Sequence, residues 1–265
     1  MELKGKLAQL QARVKTLGKV AVACSGGIDS SFLLKFSYDT LGSGKVLAVH
    51  AGTTLQTAED AENLQAVVHA IGCRLLVLEF DPYAWPEFVA NPPERCYLCK
   101  KKIYQGFLKE IRTQGFKKLI DGTNLDDLSD YRPGLAALKE LAVKTPLAQA
   151  GLTKDEIRAA GRMIGLANWD RPSSSCLATR ISPGLEINRR LIELVHSCES
   201  LLHGFGFFGC RVRIGEKAAF VELTEGDLER FAASPSYRTA MVEHLAIQGI
   251  EKVFLSLSER PGVYS

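Results

Sequence analysis

A chain of 265 residues, 46% hydrophobic and 24% charged, is long enough for one large domain or a main domain with a smaller companion, and it can bury a normal core. Its net charge of +3 is too slight to argue for nucleic-acid or membrane binding. No apolar run approaches the roughly 20 residues of a membrane span, and residues 1–7 carry no apolar signal core. A cytoplasmic protein is therefore expected, whose seven cysteines stay reduced and serve metal binding or catalysis rather than disulfides.

In chain order, Leu3, Leu7, Leu10, Val14 and Leu17 recur at helical spacing and predict an amphipathic helix over 2–17. Strands are predicted at 19–23, 46–50 and 75–79, with helices at 30–41 and 57–71 between them. Two successive strand–helix–strand units predict an α/β fold built on a doubly wound parallel sheet with right-handed crossovers. Residues 81–93, with Pro82, Pro86, Pro92 and Pro93, read as an irregular loop of the kind that is often functional. A helix over 96–111 carries Cys96 and Cys99 near its start, and a strand over 118–121 runs into Gly122-Thr123-Asn124-Leu125-Asp126-Asp127. Strand C-termini face the ligand crevice in such sheets, so this acidic segment and the turn after the first strand share an edge. A turn at 131–134, a short helix at 135–141, a capping box at Thr153–Glu156 opening a helix to about 164, and a loop over 167–183 follow. From Leu185 the rhythm changes: a helix (190–203), two strands (210–214, 218–223), two helices (225–232, 237–248) and a strand (252–257) predict a small α+β domain. The predicted domains are 1–184 and 185–265.

The turn Ser25-Gly26-Gly27-Ile28-Asp29-Ser30 joins a buried strand to an apolar helix. Such a turn aims backbone N–H groups and the helix dipole at one point, which attracts an anion, most often phosphate. Gly26 and Gly27 permit positive φ and close backbone approach, and Ser25 and Ser30 add hydroxyls. Asp29 cannot ligate phosphate itself, but it can cap the helix or help hold Mg²⁺ beside a polyphosphate. No Gly-Lys-Ser/Thr follows, so the turn is not a Walker loop.

These residues resemble the pyrophosphate loop of the PP-loop ATP-pyrophosphatase superfamily, whose members split ATP between the α- and β-phosphates and adenylate a substrate oxygen. Asp121-Gly122-Thr123-Asn124 with Asp126 and Asp127 resembles its second signature, near nucleotide and metal. Within the superfamily, Tyr131-Arg132-Pro133-Gly134-Leu135, Ser174-Ser175-Cys176 and Arg211-Val212-Arg213 are similar to the LarE family, over nearly the whole chain and in order. That resemblance implies adenylation of a carboxylate of pyridinium-3,5-biscarboxylic acid mononucleotide by ATP and Mg²⁺. The product is a thiocarboxylate destined for the nickel-pincer nucleotide cofactor of lactate racemase. It also implies a homo-oligomer acting on a small-molecule nucleotide.

An activated acyl group needs a sulfur nucleophile. Cys176 is the prime candidate. In one branch of the family the matching cysteine gives up its own sulfur; in the other, three thiolates hold a 4Fe-4S cluster whose open iron carries sulfide. With both Cys96-x-x-Cys99 and Cys176, this chain resembles the second branch. A redox pair, a structural zinc site and three unrelated thiols remain alternative uses of these cysteines. Cys24, Cys73, Cys198 and Cys210 read as core or incidental thiols. Arg211 and Arg213 alternate around Val212 and project from one strand face, suited to an anionic substrate. The resemblance adds Glu199 and Asp227 to the substrate set, and Arg180 is a candidate for the ATP phosphates or the acyl-adenylate. Lys100, Lys101 and Lys102 form a basic run whose default reading is a solvated helix face. Trp85 and Tyr97 are candidates to stack on a pyridinium ring. A tRNA-thiolating enzyme, an ammonia-using synthetase and a non-catalytic nucleotide-binding regulator are the rival readings.

Overall fold

The computed structural model describes residues 2–129, 133–171, 175–224 and 226–258. Half of the predicted turn at 131–134 and part of the Ser174-Ser175-Cys176 motif lie outside them. The chain forms two compact units, one of residues 1–81 and 94–174 and one of residues 82–93 and 175–265.

The first unit opens with α1 (Leu3–Leu17), β1 (Val20–Ala23), α2 (Ile28–Leu41), β2 (Val46–Gly52), α3 (Ala58–Ile71) and β3 (Arg74–Glu79). The stretch 81–93, expected as an irregular loop, is irregular only in part: residues 82–93, which belong to the second unit, hold a 3-10 turn (Pro82–Ala84) and the short helix α4 (Pro86–Val89), and 90–93 follow without regular structure. Pro86 at the first helical position explains the difference, since its fixed φ starts a helix that a proline count alone reads as loop. The first unit resumes with α5 (Arg95–Thr113), β4 (Leu119–Asp121), α6 (Gly134–Glu140), α7 (Pro146–Gln149) and α8 (Lys154–Met163). The predicted capping box forms: Thr153 Oγ1 accepts from the Glu156 N–H, and Glu156 Oε2 accepts from the Thr153 N–H at 2.9 Å.

The four strands are parallel in the order β3-β2-β1-β4. All four residues of β1 are buried, which is why it reads as an unbroken apolar run rather than an alternation. Val20 and Val22 face a core with Leu10, Phe32, Leu33, Leu34 and Leu64, while Ala21 and Ala23 face a second core with Tyr104, Phe107 and Ile111. Helices thus cover both faces, as a doubly wound sheet requires. The chain leaves β1 toward β2 and β3 on one side and returns to β4 on the other. The topological switch point, where such sheets bind ligands, lies between the C-terminal ends of β1 and β4.

The second unit holds α9 (Arg189–Gly204), β5 (Arg211–Ile214), β6 (Ala218–Glu222), α10 (Asp227–Ala233), α11 (Pro235–Ala246) and β7 (Lys252–Leu255). Its sheet has the order β5-β6-β7, antiparallel then parallel. The segment 82–93 is tied into this unit by Asn91, whose buried side chain donates to the Ser182 and Leu185 carbonyls at 2.8 Å each. Among the described residues no helix is long and apolar enough to cross a membrane.

Candidate active site

The turn after β1 is shaped from within. Ser30 Oγ accepts from the Ser25 N–H at 3.2 Å and donates to the Gly27 carbonyl at 3.0 Å, so this hydroxyl closes the loop on itself. Gly26 adopts φ +86°, and a Cβ there would meet the Asp60 carbonyl at 3.1 Å and Leu64 Cβ at 3.3 Å. Gly27 caps α2 with no side-chain hydrogen bond, which leaves the first-turn N–H groups directed at the switch point. Gly122, just past β4, approaches closest: a Cβ on it would lie 2.9 Å from Ser30 N and 3.1 Å from Asp29 C.

Asp29, in the first turn of α2, pairs with Lys154 Nζ at 2.5 Å. Burial pushes its carboxyl above the ordinary value, Lys154 pulls against that, and Asp127 adds to the rise. Its second oxygen, Oδ1, is buried without a hydrogen-bond partner among the described residues. An unpartnered buried carboxylate oxygen close to another carboxylate fits Mg²⁺, a hard cation that takes one or two carboxylates together with phosphate oxygens. Asp127 and Asn124 brace each other, with Asn124 N–H donating to Asp127 Oδ2 at 3.0 Å and Asp127 N–H to Asn124 Oδ1 at 3.1 Å. Asp126 accepts from the Lys154 N–H at 2.7 Å, at the start of α8.

Beside the turn, β4 ends on Asp121, the first residue of the second signature. It accepts from Tyr104 Oη and from Thr123 Oγ1 and N–H, and it pairs with Lys100 Nζ at 3.2 Å. Burial opposes its ionisation, but Lys100, Thr123 and Tyr104 together hold its carboxyl below the usual range. The basic run therefore divides: Lys100 turns in to Asp121, while Lys101 pairs with Glu140 at 2.7 Å and donates to Tyr97 Oη at 3.1 Å. Tyr97 itself donates to Glu140 at 2.7 Å. Lys154, Asn63 and Asn168 are absent from the residues that the sequence singles out. Asn168, inside Leu-Ala-Asn-Trp, offers only a polar residue in an apolar stretch as a signal.

Cys96 and Cys99 stand three residues apart near the start of α5, a spacing that puts both on one helix face; Cys96 is exposed and Cys99 half-buried. Among the described residues, no three His, Cys, Asp or Glu side chains gather as a metal-binding group. Cys24, Cys198 and Cys210 are buried. Burial pushes the Cys24 thiol far up and that of Cys198 to about 12, which suits inert core thiols rather than nucleophiles.

In the second unit, Cys176 is exposed at the head of a 3-10 turn, Leu177–Arg180, and its carbonyl accepts from the Thr179 N–H at 2.9 Å and from Thr179 Oγ1 at 2.7 Å. Arg180 is buried, with Nε on Glu199 Oε1 at 2.7 Å and Nη1 on Ser175 Oγ and Thr179 Oγ1 at 2.5 and 2.9 Å. The same Glu199 oxygen accepts from the Val212 N–H at 3.0 Å. The pair thus braces the Cys176 turn against α9 and β5. Arg211 and Arg213 do share the more exposed face of β5, opposite the buried Val212 and Ile214. Arg213 pairs with Glu222 at 2.5 Å and donates to the Thr179 carbonyl at 3.0 Å. Asp227 accepts from Thr224 Oγ1 at 2.6 Å and from Arg230 at 2.9 Å. Replacing Glu199 by alanine strands a buried guanidinium, and breaking such a pair costs roughly 3–5 kcal/mol. The expected result is a sharply lower thermal midpoint for Glu199→Ala; an unchanged midpoint would mean the pair does not brace this unit.

No family model matches the chain. It is 34% identical over 234 residues to an uncharacterised protein of Synechocystis sp., covering 88% of this chain and 87% of that one. It is 32% identical over 229 residues to the pyridinium-3,5-bisthiocarboxylic acid mononucleotide synthase of Lactiplantibacillus plantarum, covering 86% and 83%. A more distant likeness, 24% over 174 residues, links it to one of the subunits of the glutamine-hydrolysing GMP synthase of Archaeoglobus fulgidus, covering 62% and 56%. A parallel sheet with an open glycine turn after its first strand, and two relatives above 30% identity over most of their length, lead to one assignment: the chain belongs to the LarE family of ATP-utilising sulfurtransferases, within the PP-loop superfamily.

Proposed function

We propose that this protein adenylates a carboxylate of pyridinium-3,5-biscarboxylic acid mononucleotide and converts it to a thiocarboxylate, a step toward the nickel-pincer nucleotide cofactor of lactate racemase. The observation that carries the reading is the match to the Lactiplantibacillus plantarum synthase over 86% of this chain, with the 25–30 turn open at the β1–β4 switch point. In the first half-reaction a substrate carboxylate oxygen attacks the α-phosphorus of ATP. The bond to the β-phosphate bridge breaks, and pyrophosphate leaves onto the N–H groups of the turn and the start of α2. Asp29 and Asp127 are the residues that would hold Mg²⁺, which neutralises phosphate oxygens as charge moves to the leaving group. In the second half-reaction a sulfur nucleophile attacks the acyl carbon and AMP departs with its pair of electrons on phosphate oxygen.

Cys176 is proposed to supply or help carry the sulfur. Cys96 and Cys99 offer a thiolate pair suited in chemistry to iron–sulfur ligation, and Cys176 is the proposed third thiolate of a 4Fe-4S cluster. Among the described residues no three such ligands gather into one group.

The test is to mix ATP, Mg²⁺ and the pyridinium substrate with anaerobically purified protein. AMP and pyrophosphate are expected in equal amounts, with a thiocarboxylate product; no substrate-dependent AMP would overturn the reading. Iron bound after anaerobic reconstitution is expected in the wild type and lost in Cys99→Ala. Equal iron in both would sink the three-thiolate cluster while leaving the adenylation untouched.

A further inference from the structure

We infer that Asn63 and Asn168 are positioning residues that set the direction of the Gly27 N–H, and so make the turn after β1 an anion site; this rests on the proposed reading of that turn as the pyrophosphate site. The Gly26 carbonyl accepts from two side-chain amides, Asn63 Nδ2 at 2.8 Å from α3 and Asn168 Nδ2 at 3.0 Å from the segment after α8. A carbonyl can only accept, so the amide orientations are fixed by chemistry rather than chosen. In a trans peptide the C=O of one residue and the N–H of the next point in opposite directions. Drawing the Gly26 oxygen inward therefore drives the Gly27 N–H outward, to the exposed side of the turn, where among the described residues it makes a long 3.4 Å approach to Ser25 Oγ.

The alternative orientation would be harmful. Gly26 is a glycine at φ +86°, and the residue after it is a glycine too, so the peptide between them has little steric resistance to rotation. If it rotated, a carbonyl oxygen would point at the bound anion and an N–H donor would be withdrawn. Two amides on one oxygen hold it against that rotation. Asn168 is 3% exposed, and its Nδ2 also donates to Ser31 Oγ at 3.0 Å, while its Oδ1 has no hydrogen-bond partner among the described residues. A buried amide that leaves its acceptor unmet is kept at a cost. What its burial secures here is the donor side, which reaches the turn and the first helical turn of α2 together.

The experiment uses the full-length chain and two probes, inorganic pyrophosphate and AMP, with binding measured by calorimetry at constant pH and salt. Asn63→Leu removes one donor, and Asn63→Asp replaces it with an oxygen that repels the Gly26 carbonyl. Asn168→Leu and Asn168→Asp do the same from the buried side, and thermal melts accompany all four. Asn63 is half-buried, so its variants test the inference even where the Asn168 variants lose stability. Pyrophosphate affinity is expected to fall about tenfold in the leucine variants, the scale of one lost hydrogen bond, and further in the aspartate variants, with AMP affinity kept. Wild-type pyrophosphate affinity in both Asn63 variants would overturn the inference. So would equal losses for pyrophosphate and AMP, which mark a purely structural role. A wild-type chain that binds neither probe would overturn the proposed adenylation as well, whereas binding that is indifferent to the four substitutions overturns the positioning role alone.

Discussion

Gly122→Ala is expected to cut ATP-dependent pyrophosphate release by about a hundredfold or more, with a stability loss of about 1–3 kcal/mol. The reason is contact rather than conformation, because φ at this residue is not in the left-handed region. An added Cβ would sit 2.9 Å from Ser30 N, 3.0 Å from Ser30 Cα and 3.1 Å from Asp29 C. All three atoms are backbone, so no side-chain rotation relieves the clash. Nor can β4 step aside cheaply, since Asp121 is in register with Ala23 of β1 and its N–H is already bonded to the Lys144 carbonyl. What gives is the start of α2, the element that carries Asp29 and the anion-facing N–H groups. Gly42→Ala is the matching control: it sits at φ +83° with nothing within 4 Å, so it should cost stability through strain while leaving pyrophosphate release intact. Activity of Gly122→Ala within threefold of wild type would show that this approach does not set the turn.

The contrast between these two glycines marks what could be read from the sequence. The strand, the Gly-Gly turn and the helix after it were legible because each is a local pattern: four buried apolar residues, two residues tolerant of close approach, then an apolar helix. The same holds for the Thr153–Glu156 capping box, which needs only four consecutive residues. The short helix α7 was not legible, because four residues, Pro146 to Gln149, are too few to display a period. The partners of the turn were hidden for a different reason. Lys154 reaches Asp29 across 125 positions, Asn63 reaches Gly26 across 37, and Asn168 across 142. Nothing local distinguishes a polar side chain that is brought to a distant carbonyl from one that faces water. The basic run shows the same limit: three consecutive lysines look alike in sequence, yet Lys100 packs its ammonium against a buried carboxylate and Lys101 does not.

Cys176→Ser is expected to separate the two halves of the reaction. The turn that presents Cys176 is held by its backbone and neighbours: Thr179 binds the Cys176 carbonyl twice, Arg180 binds Ser175 and Thr179, and Glu199 holds Arg180. Exchanging an exposed thiol for a hydroxyl should leave that web and the melting temperature unchanged. Pyrophosphate and AMP formation depend on the glycine turn and its carboxylates, which the substitution leaves alone, so a first turnover of adenylation should survive. Thiocarboxylate formation should fall by a thousandfold or more, about 4 kcal/mol in the barrier, because a hydroxyl carries no transferable sulfur and cannot ligate iron as a thiolate does. Mass spectrometry of the wild-type chain after turnover then divides the two sources of sulfur. Loss of the elements of hydrogen sulfide at Cys176 identifies the cysteine itself as the donor, with one product per chain. An intact Cys176 with many products per chain identifies a carried sulfide, and Cys99→Ala should then fail as Cys176→Ser does. Wild-type thiocarboxylate production by Cys176→Ser would remove this residue from the chemistry altogether.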